Sequence, residues 1–316
     1  MVAGWMFRSS RPATAGDDPE ADASGDDLPI ASAARKAAAL RSGFMPRLPR
    51  PARRRVLVVA NQKGGVGKTT TTVNLAAALC LHGLNVLVID LDPQGNASTA
   101  LGVPHHREVA SVYDVLMGGA SIAEVAVPVE DLPNLMCVPA TIDLAGAEID
   151  LVTLDHRESR LARALTSDEL EQVDYLFIDC PPSLGLLTVN ALSAANEVLV
   201  PVQCEYYALE GLTQLLQTIE LVRARLNPKL EVSTILLTMY DGRTKLAEQV
   251  AQEVRRHFGP KVLRTTIPRS VRVSEAPSHG QTVLTYDPGS PGALSYLEAG
   301  RELARAAVEQ PAAPPH

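Results

Sequence analysis

Val56-Leu-Val-Val-Ala-Asn-Gln-Lys-Gly-Gly-Val-Gly-Lys-Thr-Thr70 decides how the rest of this chain is read. Its first five residues are apolar and mostly β-branched, the composition of a strand buried on both faces. Gly64, Gly65 and Gly67 follow. Lacking Cβ atoms, they let the backbone fold tightly and aim its N–H groups inward as a nest for an anion. The segment from Lys68 to His82 favours a helix, and Gly83 closes it. The positive end of that helix faces the same nest. Strand, glycine turn and helix together predict a phosphate cradle lined by the backbone of Gly64, Gly65, Val66, Gly67 and Thr70. Lys68 brings a point charge to the outer phosphates, and Thr69 places a hydroxyl where magnesium would sit.

The common P-loop pattern asks for glycine at position 62. This chain has Gln62 there, and Lys63 stands immediately before the glycine pair. KGGVGKT is therefore the deviant form of the loop, with an additional lysine.

Outward from the loop, short apolar runs alternate with helical stretches. Strands are expected at Val56–Ala60, Val86–Ile89, Leu135–Val138, Tyr175–Ile178, Val198–Val202, Val232–Thr238 and Lys261–Thr266. Helices separate them, among them Leu209–Leu226 and Leu246–Phe258. Nearly unbroken apolar strands alternating with helices predict an α/β fold, a doubly wound, mostly parallel sheet with helices on both faces. Hydrophobic residues make up 46% but aromatics only 4%, so the core must be aliphatic.

Hydrolysis needs more than a phosphate loop, and two strand ends supply acids. Val86-Leu-Val-Ile-Asp90-Leu-Asp92 ends one strand, and Tyr175-Leu-Phe-Ile-Asp179 ends another. Ligands of open α/β sheets bind at the carboxyl ends of strands, so the loop and both acids converge there. Asp179, after three apolar residues, reads as a magnesium-shell carboxylate, and Asp90 as a group that orients the attacking water. Acids after strands also serve as turn residues and helix caps, and Asp92 reads equally as a brace for its loop.

The net charge of -7 excludes DNA binding over the whole surface, so any nucleic-acid contact must be a local patch. Cys80, Cys137, Cys180 and Cys204 are far apart and form no CxxC pair. That points away from a zinc site or a disulfide framework and toward small buried residues in a reducing cytoplasm. No transmembrane-length or signal-peptide run is evident. Residues 1–53 read as a disordered tail, acidic from Asp17 to Asp27, with a basic run from Arg35 to Arg55 and one short helix expected at Ile30–Leu40. A basic arm that touches DNA or a partner is the other reading. Residues 54–308 read as the ATPase domain and 309–316 as a disordered end.

NQKGGVGKTTT, VIDLDPQGN, IDCPPSLG, PVQCEYYALEG and IPRSVRVSEAPSHG occur in this order. Over Val56 to Ala307 the chain resembles the ParA/Soj partitioning ATPases that segregate bacterial chromosomes and plasmids. The resemblance implies a magnesium-dependent ATPase of weak basal activity that uses ATP and Mg2+. It implies that Lys63 reaches across a nucleotide-sandwich homodimer to the partner's phosphates, that Lys68 binds phosphate and that Thr69 ligates magnesium. Asp90 would support hydrolysis, and Pro268 with its neighbours would contact adenine. ATP-bound dimers of the family bind double-stranded DNA without sequence preference, and a ParB-type centromere-binding protein stimulates hydrolysis to release them. The matching basic positions are Arg243 in MYDGRTKL and Arg272 in PRSVRVSEAP, with Arg269 a further one; ordinary solvated arginines are the alternative. The implied location is the cytoplasm, at the nucleoid.

Three competing classes share features of this chain. A MinD-like switch cycles on membranes through an amphipathic C-terminal helix, but Arg301–His316 lacks a basic apolar membrane face. A nitrogenase-reductase-like carrier needs paired cysteines for an iron–sulfur cluster, and Cys180 has no evident mate. A binding module without turnover would not need the full set of lysines and acids.

Overall fold

The computed structural model describes residues 29–42, 45–205 and 208–309. Eight strands form one sheet: β1 (Arg55–Val59), β2 (Val86–Asp90), β3 (Val127–Val129), β4 (Leu132–Val138), β5 (Tyr175–Asp179), β6 (Glu197–Gln203), β7 (Glu231–Tyr240) and β8 (Val262–Pro268). Their spatial order is β3-β4-β2-β5-β1-β6-β7-β8. Every pairing is parallel except β3 with β4. The seven expected strands are present with ends shifted by up to three residues. The edge strand β3 was not anticipated: it has three residues, with Pro128 at its centre. Proline lacks the N–H that an interior ladder would require, so an edge suits it.

Alternate residues of each strand feed two cores. Val56, Val58 and Ala60 join Leu176 and Ile178 on one face. Leu57 and Val59 join Tyr175 and Phe177 on the other. The Lys68–Leu81 helix packs on this second face, and its Ala76, Ala77 and Ala78 are fully buried. These small residues admit the Pro291–Glu309 helix close by. A Cβ at Gly300 would lie 2.8 Å from the Ala78 Cβ, so the crossing requires glycine.

The disordered tail expected over residues 1–53 is corrected in its second part. Pro29–Ser42 is a helix that includes the expected Ile30–Leu40. Ala37 and Leu40 are buried, and Lys36 Nζ lies 2.8 Å from Glu298 Oε2 on the Pro291–Glu309 helix. Farther along, Met45 is buried and the Leu48 N–H donates to His82 O at 3.2 Å. His82 is itself buried, which lowers its pKa and keeps the ring neutral. Its Nδ1 then donates to Pro46 O at 2.6 Å and its Nε2 accepts from Arg301 Nε at 3.1 Å. Arg54 donates to the Leu165 and Leu170 carbonyls. Several residues of the basic run are thus anchors to the domain. The acidic run 17–27 and the end 310–316 lie outside the described residues.

Removing residues 1–44 should cost roughly 2 kcal/mol, the worth of burying Leu40 and Ala37 with their neighbours. For a domain of this size the melting temperature should fall by roughly 4–8 °C, with ADP affinity unchanged, which thermal melts and titration calorimetry on the truncated chain will check.

Candidate functional site

The loop leaves β1 at Ala60 and wraps the start of the Lys68–Leu81 helix. Asn61 fixes its first turn: Nδ2 donates to Pro201 O at 2.8 Å, and Oδ1 accepts the Lys63 N–H at 3.0 Å. Gly65 and Gly67 have φ of +74° and +89°, the left-handed region where a Cβ is penalised. A Cβ built on Gly64, Gly65 or Gly67 meets nothing within 4 Å. It would project into open space, the space a phosphate would take. That space is a cavity of about 730 Å3 lined by the three glycines, Lys68, Thr69, Thr70, Asp92, Pro182 and Ser183. Lys68 is buried, and burial lowers its pKa while Asp179 pulls it back up.

The carboxylates meet because their strands are in register. Asp179 of β5 stands opposite Val59 of β1 and opposite Asp90 of β2. Both acids are fully buried. Asp179 Oδ2 accepts from Thr69 Oγ1 at 2.7 Å and its Oδ1 from Thr72 Oγ1 at 3.0 Å. Asp90 Oδ2 accepts from the N–H and the hydroxyl of Ser98, at 2.8 and 2.7 Å. Its Oδ1 accepts the Asp92 N–H at 3.2 Å. Burial pushes both carboxyls above the ordinary carboxylate range; for Asp179 the neighbouring Asp90 adds to this, and the threonine hydroxyls oppose it. A cation would relieve both burial and repulsion, and oxygen donors from a hydroxyl and a carboxylate are the kind magnesium takes. Thr69 and Asp179 therefore fit that ion. Asp92 Oδ1 accepts the Gln94 N–H at 3.0 Å, so it braces its own turn while lining the cavity.

The additional lysine lies to one side of the cradle. Lys63 Nζ is 3.1 Å from Glu205 Oε2, and Gln203 Nε2 donates to Glu205 Oε1 at 2.5 Å. Pro268 lines a separate cavity of about 120 Å3 with Thr70, Thr238, Ile267, Val273 and Tyr296, an apolar slot beside the loop. Met239 borders both cavities. Its φ of +48° is left-handed, at a cost of order 1 kcal/mol for a residue with a side chain.

Arg243 and Arg272 line neither cavity, Arg269 lines the Pro268 slot, and each of the three is paired with an acid. Arg243 is 90% exposed and forks onto Asp241 with two contacts of 2.9 Å. That contact lowers Asp241 to about 2. Arg272 lies 3.0 Å from Glu275 and 3.4 Å from Asp287. Arg269 lies 3.6 Å from Glu205. The four cysteines are buried and free. Among the described residues no helix is long and apolar enough to cross a membrane.

Sequence reasoning did not name Asn61, Thr72, Ser98, Glu205 or Thr238. Thr72 had a signal, since three residues after Thr69 it shares a helix face. Ser98 had none: it reaches Asp90 only because the chain turns at Gly95 (φ +64°) into the Asn96–Ala100 helix.

A glycine-lined phosphate cradle at the head of a parallel strand, closed by buried acids on the neighbouring strands, defines a P-loop nucleoside triphosphatase. The AAA domain family model matches residues 54–232. Soj of Bacillus subtilis, named a sporulation initiation inhibitor protein, is 52% identical over 79% of this chain and 98% of its own. The chromosome partitioning protein ParA of Caulobacter vibrioides is 55% identical over 79% and 93%. Among solved structures, cobyrinic acid a,c-diamide synthase of Mycobacterium smegmatis with bound ADP and magnesium is 41% identical. Its TM-score is 0.68, over 79% of this chain and 94% of that one. The chain belongs to the Soj/ParA family of chromosome-partitioning ATPases.

Because Asp90 and Asp179 hold protons more tightly folded than unfolded, their contribution to stability is complete below the ordinary carboxylate range. It is lost as pH rises through their higher folded values. The metal-free protein should therefore lose melting temperature from pH 5 to pH 8, and Asp179→Asn should flatten that slope, as melts across this range will read.

Proposed function

We propose that this ATPase is a nucleotide-controlled partitioning switch. Binding of ATP closes two chains face to face, the closed dimer binds double-stranded DNA through backbone phosphates, and a ParB-type partner triggers hydrolysis and release. The observation that carries the reading is the meeting of the deviant loop with Asp179 through the Thr69 hydroxyl at 2.7 Å.

The residues have distinct tasks. The Gly64–Gly67 backbone and Lys68 bind and orient the phosphates, so most of the catalysis is positioning. Thr69 and Asp179 would hold magnesium, whose charge neutralises the phosphate oxygens. Asp90, raised in pKa and fixed by Ser98 and Asp92, is a better proton acceptor than an ordinary carboxylate and orients water. Lys63 exchanges Glu205 for the partner's phosphates, which couples the γ-phosphate to assembly. Pro268 and its apolar slot take the adenine.

Arg243, Arg272 and Arg269 form the DNA-binding set, with Arg243 the most exposed. A DNA phosphate must replace an acid that each now holds, so one contact is weak and doubling by dimerisation matters. This makes DNA affinity follow the nucleotide despite the acidic total. Cytoplasmic, nucleoid-bound protein is the corresponding location. The membrane-cycling reading is disfavoured because Ala293, Leu297, Leu303 and Ala304 of the last described helix are buried in the domain.

DNA binding measured with ATP against ADP tests the switch. Retention should appear with ATP alone and vanish in Lys63→Ala. Arg243→Ala should lower the salt slope by about 1 for each DNA phosphate that the arginine neutralises. Equal DNA affinity in both nucleotide states would sink the switch. Asp90→Ala should slow phosphate release by about 100-fold or more while leaving ATP bound, as single-turnover assays will read.

A further inference from the structure

One buried hydroxyl outside the motifs touches the cradle's backbone. Thr238, near the end of β7, donates its Oγ1 proton to the Val66 carbonyl at 2.8 Å. Both residues are only 1% exposed. The contact joins two segments that are 172 positions apart in the chain.

A trans peptide points its C=O and the following N–H in opposite directions. Binding the Val66 oxygen to Thr238 therefore turns the Gly67 N–H away from that hydroxyl, and Gly67 itself lines the large cavity. Nothing in Gly67 itself enforces this. Without a Cβ, a glycine peptide reorients at little cost, and a flip would present a carbonyl oxygen to an anion. We propose that Thr238 is a positioning residue for nucleotide binding: its hydroxyl holds the Val66–Gly67 peptide with the N–H facing the phosphates. This rests on the reading of Gly64–Thr69 as a phosphate cradle.

The local frame supports the assignment. Asn61 anchors the beginning of the loop to Pro201. The Thr71 N–H donates to Gly67 O at 2.8 Å and secures its end in the helix. Between these anchors, the Val66 carbonyl is held from β7. Immediately after Thr238, Met239 turns left-handed and borders the cavity. The strand thus ends its regular course where its hydroxyl meets the loop.

The test uses the full chain with Thr238→Val, which keeps shape and β-branching but has no hydroxyl, and Thr238→Ser, which keeps it. Affinities for ADP and for pyrophosphate, with magnesium, are read by calorimetry beside the melting temperature. Thr238→Val should weaken both ligands by about five- to tenfold, the worth of one ordinary hydrogen bond. Thr238→Ser should restore them, and Thr238→Ala, which adds no volume, should repeat the loss. Pyrophosphate separates the cradle from the apolar slot, since Thr238 lines that slot as well. Unchanged affinity in the Val and Ala variants, or a loss of ADP alone with pyrophosphate unaffected, overturns the assignment. So does a loss that Ser does not restore. A wild-type chain that binds neither ligand overturns the cradle itself and this role with it.

Discussion

Two carboxylates, Asp90 and Asp179, end neighbouring strands in register, and both are fully buried. Like charges in such a place repel and are poorly solvated, so both groups are pushed toward their neutral forms. Much of the surrounding structure answers that constraint. Thr69 and Thr72 donate to one acid, Ser98 donates twice to the other, and the Asp92 amide adds a further bond. Lys68 stands near enough for Asp179 to act on its pKa. The arrangement is unfavourable for a resting protein and favourable for holding a cation with a polyanion, a trade of stability for function common at active sites.

A second theme is the use of charges within the chain. Lys63 rests on Glu205, and Arg243, Arg269 and Arg272 each hold an acid. Exposed pairs of this kind add little to stability, so exchange for an external phosphate is cheap. The buried Arg55–Glu197 pair is different in kind. Its guanidinium donates twice to the carboxylate and once to the Leu303 carbonyl, which joins β1, β6 and the last described helix. The same residue types thus act as adjustable contacts at the surface and as fixed struts inside. The helix Pro29–Ser42 and the strap after it extend this bracing to the side of the domain away from the cradle.

The sheet was legible because its strands are apolar on both faces, and seven of the eight announced themselves by composition alone. β3 did not, since three residues with a central proline carry no periodic signal. The loop was legible because spacing along one strand–turn–helix unit is local, and the two acids because each ends an apolar strand of its own. The Pro29–Ser42 helix was half legible: its residues favour helix, but only the Glu298 carboxylate and the buried contacts of Ala37 and Leu40 explain why it docks. The pairing of Arg243 with Asp241 lay two residues away and was still missed, since exposure and pairing are separate questions.

By itself the sequence determined the class of fold, the anion nest and the two acids, because each is written in a local pattern: apolar strands alternating with helices, one strand–turn–helix unit, and apolar strands that end in Asp. Only the tertiary structure decided which hydroxyls serve which carboxylate and where the second lysine rests. It alone decided that Thr238 reaches Val66 across 172 positions. Such contacts depend on strand order and register, which bring distant segments within about 3 Å of each other and leave no fixed spacing along the chain.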